Sequence, residues 1–427
     1  MADSSLGAVF WFSGGPGQTN LSYNPPAELT SFYDVVEVGY RGVDGKIKLN
    51  CEEMEKALKG VGKNLLSQKS QKGLLEAAQQ CAIRLKASGI DLDGFTIEQT
   101  IKDMEAAREA LGYEKINLLA GSYGTRVSQI YMQEHPSVIS RAILVGTGVP
   151  GGFVWTEAEF KKQLDELNIL CQADPYCSQK TSDLAGTMNT VLDNAPGHWL
   201  LLGIDVGKVR TATFGMLYHV ETAQQVVDAY LMAADGDYSG IALISLAYNF
   251  TFPKMMVWGD FLAKGLIDYN PDVDYFNEME EEKKTALGSP LSALIMDTGK
   301  EWPTKQPDFN EDRVIQTPVL LLNGTLDFST PTHNIEEKLM PKLPNGQLVK
   351  FRGLGHVADI LYRKDVKQSM PQFYRGEFTG LRPEPSVFNF NIRNGLPKMA
   401  KIGLGIVLVL IICIAFGSYR LLRYLRR

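Results

Sequence analysis

Groups of residues that could hold a metal ion are missing from this sequence. Its five histidines occur singly, and none of its five cysteines forms a Cys-x-x-Cys pair, so the ligand spacing of common metal sites is absent. Internal repeats and low-complexity tracts are missing as well, which argues against repeat and fibrous architectures. We expect a globular protein that needs no metal and no other cofactor.

Basic residues are scarce outside the C-terminal end. The 427-residue chain has a formal net charge of -6 at pH 7, although the segment from Lys398 onward holds six basic side chains and no acid. The rest of the chain is therefore more acidic still, which argues against nucleic acid as a partner. With 44% hydrophobic residues, a chain of this length has enough apolar surface for two folded units.

The first residues, 1–5, lack the basic and apolar stretches of a secretory signal peptide. A buried strand is predicted directly afterwards over residues 7–12, followed by the turn Ser-Gly-Gly-Pro-Gly at residues 13–17. Glycines in such a turn allow the backbone to approach a ligand and to direct N–H groups at an anion. An ordinary Gly/Pro turn is the alternative interpretation.

Strands and helices alternate through the first third of the chain. Apolar runs predict further strands over residues 33–40, 115–120 and 141–146, and amphipathic helical patterns fill most of residues 54–112. This alternation indicates a parallel sheet with crossover helices, which is the arrangement of an α/β protein.

The most informative motif is a serine between small residues, Ala120-x-Ser122-x-Gly124. It lies between the predicted strand 115–120 and a helical pattern over 126–134. A sharp turn from strand to helix exposes the serine hydroxyl above the sheet edge, and it brings the two elements so close that bulky neighbours would clash. The motif predicts a nucleophilic serine, although glycine-flanked serines also occur in ordinary loops.

Two later strands, predicted over 317–324 and 347–351, each end near a residue that a nucleophilic serine requires. Asp327 follows the first strand and His356 follows the second. A serine becomes a strong nucleophile when a histidine accepts its proton, and a carboxylate must orient that histidine and offset its charge. The order Ser122, Asp327, His356 is the one that this kind of α/β fold requires. Serine hydrolases of other folds have a different order. We predict that these residues form a catalytic triad.

Helical patterns dominate residues 150–312, where aromatic residues are also frequent. A helical insertion of this kind usually covers the ends of the strands as a lid. The predicted organisation is therefore a core in two parts, 1–149 and 313–378, with a helical cap over 150–312.

In these motifs the chain resembles an α/β-hydrolase of the prolyl iminopeptidase and tripeptidyl aminopeptidase family, peptidase family S33. The matching motifs, spread over residues 7–375, are Gly14-Gly15-Pro16-Gly17, Arg41-Gly42, Gly121-Ser122-Tyr123-Gly124-Thr125, Leu326-Asp327 with Thr330-Pro331, and Gly353 to His356. The resemblance implies a mostly parallel sheet with a helical lid, and the release of short units from peptide N-termini through an acyl-enzyme. It also implies an oxyanion hole formed by the backbone N–H groups of Gly15 and Tyr123.

The chain departs from the family pattern at two of these motifs. Ser13 stands where histidine or asparagine is usual, and Gly39 stands where an aspartate usually precedes Arg41-Gly42. A buried charge contact is therefore expected to be missing. Family members also have additional strands before the Gly-Gly-Pro-Gly strand. Because of these departures, a module without catalytic activity stays open as an alternative.

The resemblance also bears on the cysteines. Cys51 and Cys81 flank the helical segment of the core, and Cys171 and Cys177 enclose a short loop of the cap. Similar pairs are disulfides in exported relatives, which implies the disulfides Cys51–Cys81 and Cys171–Cys177. Free buried cysteines, as in many cytosolic enzymes, are the alternative.

An exopeptidase needs a charge that only a free amino terminus satisfies. A carboxylate in the cap would pair with the substrate ammonium and would give this selectivity. We favour Asp260, because Trp258-Gly259-Asp260 follows an apolar stretch and resembles a cap segment of the family where an acid recurs. The other candidates are Glu157, Glu159, Asp228 and Asp235.

The C-terminal end contains an uncharged run over residues 402–419, rich in Val, Leu and Ile. At 1.5 Å per residue this run is long enough to cross roughly 27 Å of hydrocarbon. A Pro- and Asn-containing linker is predicted over 379–401 and a basic tail over 420–427. We expect a single membrane helix, with a buried terminal helix as the alternative.

The basic tail favours a cytoplasmic C-terminus, which places the catalytic body on the periplasmic or extracellular side. Disulfides agree with that location, whereas the lack of a signal peptide agrees only if sequence upstream is missing. Two classes of function stay open. One is a membrane-anchored serine hydrolase of peptide substrates, an aminopeptidase with an esterase as its near neighbour, and the other is a non-catalytic subunit of a membrane complex.

Overall fold

A computed structural model describes residues 5–60, 64–281, 287, 290–307, 309, 312–406 and 410. The strands are β1 (Ala8–Phe12), β2 (Asp34–Glu37), β3 (Ile116–Gly121), β4 (Ile139–Val145), β5 (His198–Trp199), β6 (Leu202–Gly203), β7 (Val319–Gly324) and β8 (Gly346–Phe351). One sheet has the order β2-β1-β3-β4-β7-β8, with every neighbouring pair parallel. The strands β5 and β6 form a separate antiparallel hairpin.

Helices lie before, within and after the predicted cap. Those of the first core part are α1 (Ala27–Thr30), α2 (Glu52–Ala57), α3 (Gln68–Ala87), α4 (Ile97–Ala110) and α5 (Tyr123–Glu134). The next are α6 (Glu157–Ala173), α7 (Pro175–Lys180), α8 (Leu184–Asp193), α9 (Val206–Met216), α10 (Val220–Ala234), α11 (Ser239–Thr251), α12 (Trp258–Lys264), α13 (Tyr275–Glu281) and α14 (Pro290–Ile295). The last are α15 (Thr332–Asn334), α16 (Ala358–Leu361) and α17 (Lys364–Arg375).

The central strands are buried along their whole length. Every residue of β1, β3 and β7 is buried, which agrees with their continuous apolar sequences, because a parallel sheet is covered by helices on both faces. The edge strand β2 is only half-buried. It is also shorter than the predicted strand 33–40, since the chain turns where the backbone N–H of Tyr40 donates to Asp44.

Successive residues of each strand point into different core layers. Phe10 packs with the layer that includes α3, α4, α5 and the cap, and Trp11 packs with the layer that includes α17. This alternation follows from the two-residue period of a strand. The predicted α/β fold with a mostly parallel sheet and crossover helices is confirmed.

Both implied disulfides are present. Cys51, directly before α2, is bonded to Cys81 in α3, and Cys171 in α6 is bonded to Cys177 in α7. Each bond joins two helices that are neighbours in the chain, one pair in the core and one in the cap. The alternative of free cysteines at these four positions is thereby excluded.

The segment predicted as a linker, 379–401, packs on the rest of the molecule. Its Ser386 N–H donates to the carbonyl oxygen of Arg352 in the core at 2.9 Å. Farther along, the carbonyl oxygen of Pro397 accepts the hydroxyl of Ser239 at the start of α11, at 3.2 Å. The segment therefore connects the core with the cap by direct contacts, which its polar composition did not indicate.

The predicted membrane helix over 402–419 lies mostly outside the described residues, which include a helix over 396–406. Within the described part of the chain, no single helix is both long and apolar enough to cross a membrane. One pair of helical segments, Ser239–Lys254 and Trp258–Lys264, meets the length and composition criteria together, with a bend of 74° between them.

Asp228 in α10 is an acid buried beneath the C-terminal segment. It is 7% exposed, and its Oδ2 lies 1.8 Å from the place that a Cβ on Gly395 would occupy. Burial, reinforced by the nearby charge of Asp237, raises the pKa of this carboxyl to about 6. The neutral form of Asp228 is therefore favoured more strongly in the folded protein than in the unfolded chain.

We expect Asp228→Asn to stabilise the protein above pH 6 and to have little effect near pH 4. The folded state binds the Asp228 proton more tightly than the unfolded state, so the wild type loses stability as the pH rises from about 4 to 6. The raised pKa corresponds to as much as about 3 kcal/mol of unfolding free energy. Urea unfolding at pH 4 and 7.5 measures this difference, with exposed Asp272→Asn as the control. A gain of equal size at both pH values would contradict the account.

Candidate active site

Ser122 occupies the sharp turn between β3 and α5. Its φ of 53° and ψ of -126° are strained for a residue with a side chain. The turn is held by hydrogen bonds from Ser122 N to Val145 O at 3.0 Å and from Thr125 Oγ1 to Ser122 O at 2.6 Å. A Cβ on Gly124 would lie 2.3 Å from the carbonyl oxygen of Phe12, so this position has space only for glycine.

His356 and Asp327 form a buried, hydrogen-bonded pair. Nδ1 of the histidine lies 2.7 Å from Oδ2 of the aspartate, and neither residue is more than 6% exposed. Asp327 follows β7 and His356 follows β8, and both strands run parallel to β3, which precedes Ser122. The carboxyl ends of these strands therefore bring the three predicted residues to one edge of the sheet.

The carboxylate of Asp327 is fixed by its own loop. It accepts the backbone N–H groups of Ser329 and Thr330, both at 2.9 Å, and the Thr330 hydroxyl at 2.7 Å. These bonds orient the carboxylate and, through it, the ring of His356. Thr330 belongs to a motif that matches the family, but its contact with Asp327 could not be predicted from the sequence.

The second ring nitrogen of His356 faces the cavity without a partner. Its Nε2 is buried and has no hydrogen-bond partner among the described residues. Since Nδ1 is bonded to Asp327, Nε2 is the nitrogen left to accept a proton. On the backbone, His356 N donates to the carbonyl oxygen of Tyr218 at 2.6 Å, so a cap residue also positions this histidine.

The glycine turn at residues 13–17 lies directly against Ser122. A Cβ on Gly14 would stand 3.1 Å from the Cβ of Ser122 and 3.5 Å from its Oγ, and Gly15 has a φ of 111°. Gly15 and Tyr123 both line the cavity that Ser122 faces. Tyr123 is the first residue of α5, so its N–H has no intrahelical acceptor. This arrangement suits an oxyanion hole at Gly15 and Tyr123, which stays a prediction.

The cavity beside Ser122 and His356 has a volume of about 650 Å³ and a mainly apolar lining. Cap residues such as Phe153, Trp155, Tyr248 and Trp258 supply much of this lining. No Asp, Glu, Lys or Arg occurs among the described residues that form its wall.

A family model described as the alpha/beta hydrolase fold matches residues 67–163, which include the Ser122 turn. The chain has an α/β-hydrolase fold. Two curated relatives agree with this result. A tripeptidyl aminopeptidase of Streptomyces coelicolor is 30% identical over 175 residues, covering 37% of this chain and 31% of the relative. A putative hydrolase of Escherichia coli is 25% identical over 146 residues, covering 33% and 28% respectively.

The resemblance of the chain to the S33-like kind of α/β-hydrolase is thus confirmed. The chain spans about a third of the length of the curated relatives it matches. A solved serine hydrolase from Cycloclasticus zankles is 15% identical with a TM-score of 0.40, covering 89% of this chain and 92% of its own. A likeness of that order carries no information about function.

One departure from the family pattern is compensated in the hydrolase structure. A Cβ on Gly39 would lie 2.9 Å from the Cβ of Asp44, so Asp44 occupies the space beside this glycine. Its carboxylate accepts the N–H groups of Asn20 and Tyr40 at 2.9 and 2.8 Å. Asn20 in turn accepts the N–H of Ser13 at 2.6 Å. Asp44 therefore places a carboxylate beside Gly39, where it binds backbone N–H groups.

Asp260 does not have the position that binding of a substrate ammonium requires. It is fully buried and is not among the residues that line the cavity. Its Oδ1 pairs with Nζ of Lys264 at 2.5 Å, and its Oδ2 accepts the N–H of Gly17 at 3.1 Å. Lys264 also donates to the carbonyl oxygen of Arg41 at 2.9 Å. The prediction is therefore corrected: Asp260 already has a cationic partner, and it holds the glycine turn in place.

The other candidate acids of the cap also lie outside the cavity wall. Asp235 pairs with Lys180, and Glu159 bonds to Asn334. Asp228 lies beneath the C-terminal segment, and Glu157 is in the first turn of α6. None of these acids is a described lining residue, so the structure does not identify a carboxylate for a substrate amine.

Cap residues that the sequence did not indicate contact the loop that carries His356. Tyr218 accepts the His356 N–H, and its ring packs edge-on against the His356 ring at 5.3 Å between centroids. His219 lies 3.4 Å from Asp359. The proximity of Asp359 to His356 in the sequence was the available signal for this second pair.

Proposed function

We propose that this α/β-hydrolase is a serine hydrolase that cleaves an ester or amide bond through an acyl-enzyme on Ser122. The observation that carries the proposal is the buried Asp327–His356 bond, which leaves Nε2 of His356 free beside the strained Ser122. Both Ser122 and His356 line the same cavity, so Nε2 is available there to accept the proton of the serine hydroxyl.

The geometry supports the following steps. The Ser122 hydroxyl loses its proton to Nε2 of His356 as its oxygen attacks the acyl carbon, and the N–H groups of Gly15 and Tyr123 bind the resulting oxyanion. The leaving group takes the proton from His356 when the bond breaks. Water then attacks the acyl-enzyme, gives a proton to His356, and releases the acid as the proton returns to Ser122. Asp327 orients the ring and offsets its positive charge throughout.

For the substrate we propose a peptide that is cleaved near its amino terminus. Support comes from the curated relatives that are tripeptidyl aminopeptidases. A cavity of about 650 Å³ has space for a short peptide. Since no described lining residue is acidic, the aromatic faces of residues such as Trp155 and Trp258 would hold the substrate ammonium by cation–π contact.

An esterase is the second candidate, and the same lining favours it. A wall without carboxylates suits an uncharged apolar acyl group better than an ammonium, because burying a charge without a counterion is costly.

Hydrolysis of one peptide p-nitroanilide with a free and an acetylated N-terminus separates the two candidates. For the aminopeptidase we expect acetylation to lower kcat/KM by about tenfold or more, which is the size of a desolvated cation–π contact. A rate that is unchanged or higher after acetylation would exclude the aminopeptidase and leave an esterase or an endopeptidase. The Ser122→Ala variant is the background control for both substrates.

We also propose that residues 402–419 anchor the hydrolase in a membrane, with the catalytic body periplasmic or extracellular. The uncharged sequence of this run and the basic tail support the anchor, and the two disulfides support the location. The full chain should stay in the membrane pellet after carbonate extraction, and a chain ending at residue 401 should be extracted. Extraction of the full chain would contradict the anchor.

A further inference from the structure

The cavity wall contains one histidine besides His356. Among its described lining residues none is Asp, Glu, Lys or Arg, and the two histidines are His219 and His356. The proposed reaction uses His356 as its base. His219 is therefore the remaining side chain of the described wall that can carry a positive charge near neutral pH.

Asp359 holds His219 from behind the cavity wall. Its Oδ1 lies 3.4 Å from Nδ1 of His219, and its Oδ2 accepts the N–H groups of Val220 and Gly355 at 2.9 and 3.0 Å. The contact with Asp359 raises the pKa of His219 more than burial lowers it. Burial raises the pKa of Asp359, but His219 and the two N–H donors outweigh burial and lower it. Each group therefore favours the charged form of the other.

The orientation of this pair presents the cation to the cavity. Nδ1 of His219 is buried, has no hydrogen-bond partner among the described residues, and lies 3.4 Å from Oδ1 of Asp359, so Nε2 is the ring nitrogen left for a ligand. The side chain of His219 is 40% exposed and that of Asp359 is 16% exposed. His219 lines the cavity and Asp359 is not among its described lining residues, so a ligand in the cavity contacts the imidazole rather than its counterion.

The pair also lies at the catalytic end of the cavity. Tyr218 precedes His219 in the chain, and its carbonyl oxygen accepts the His356 N–H at 2.6 Å. Asp359 binds the N–H of Gly355, the residue before His356. A group bound by His219 would consequently lie within the same substrate that Ser122 attacks.

We propose that His219 forms a carboxylate subsite, so that the preferred substrates are esters or short peptides that carry a free carboxylate besides the bond that is cleaved. This inference rests on the proposed function, because it assigns the substrate class of the Ser122 cavity. A hydrogen bond between an imidazolium and a carboxylate is among the strong ones, and the apolar wall around it strengthens it further. A neutral ester or amide in the same place would lack this charge.

The test is the rate at which matched fluorophosphonates label Ser122. Each pair has the same alkyl chain, which ends in a carboxylate or in its methyl ester, and several chain lengths are compared. For at least one length we expect the carboxylate probe to label the wild type about tenfold faster or more, as a charge-assisted bond predicts. His219→Gln should bring this ratio close to one, and His219→Arg should retain a preference for the carboxylate.

The ratio separates recognition from a merely structural role of His219. A loosened fold would slow both probes alike and leave their ratio unchanged. The matched control is His135→Gln, because His135 is similarly exposed, lies 3.9 Å from Glu105 and is not a described lining residue. If Ser122 is labelled but the carboxylate and methyl ester probes react at similar rates for every alkyl chain length, the carboxylate subsite is overturned and the proposed function is not. No labelling of Ser122 by any probe would overturn the proposed function and the subsite together.

Discussion

Replacing Ser122 with alanine is expected to lower kcat by about four orders of magnitude or more. The variant loses the nucleophile, whereas the Asp327–His356 bond and the glycine turn remain. The Ser122 side chain is not required for the hydrogen bonds of the turn, which use the Ser122 backbone. The measurement is steady-state turnover of an activated ester and of a peptide substrate, with far-UV circular dichroism to verify the fold.

Ser128→Ala is the matched control for this prediction. Ser128 lies on the same helix α5, is fully buried, and its hydroxyl has no hydrogen-bond partner among the described residues. Its removal should leave kcat within about twofold, because no group of the proposed mechanism contacts it. If Ser122→Ala kept a tenth or more of the wild-type turnover, Ser122 would not be the nucleophile.

Lys264→Met is expected to destabilise the folded state by about 3–5 kcal/mol, because it leaves the Asp260 carboxylate buried without its cation. Both side chains are fully buried, and Nζ of Lys264 is 2.5 Å from Oδ1 of Asp260. Burial raises the pKa of Asp260, which the ion pair with Lys264 partly offsets. Loss of the pair would also loosen the contact between Asp260 and Gly17. Urea unfolding at pH 7.5 measures the loss.

Two further variants test the cause of this loss. The double variant Asp260→Leu with Lys264→Met removes both charges, so it should recover a large part of the lost stability. Lys254→Met removes an exposed lysine and should change the stability by less than about 0.5 kcal/mol. A Lys264→Met protein as stable as the wild type would show that the buried pair does not carry the stability assigned to it.

The core strands and the three strand-end residues could be predicted from the sequence because their signals are local. Continuous apolar runs indicate buried parallel strands. Ser122, Asp327 and His356 each follow one of these runs in the sequence, so their place at the strand ends could be predicted. The same reasoning failed for Asp260. Its partner Lys264 stands four residues later, but the sequence could not show that both side chains turn into the protein, where they connect the cap to the glycine turn.

Contacts between distant segments account for the rest of what was missed. The polar composition of residues 379–401 predicted a linker, yet Ser386 and Pro397 bond to the core and to the cap. His219 and Asp359 belong to the cap and to the core, and no periodicity links them. Asp44 lies beside Gly39 only because the chain turns back at this point. Such pairings depend on tertiary packing, which single-sequence patterns do not encode.

Fluorophosphonate labelling with peptide mapping tests the central claim most directly. The account predicts one labelled residue, Ser122, in the wild type and no label in Ser122→Ala. His356→Ala should label far more slowly, because the base that activates the serine is gone. A folded wild type that reacts at another residue, or that does not react at all, would contradict the assignment of a serine hydrolase.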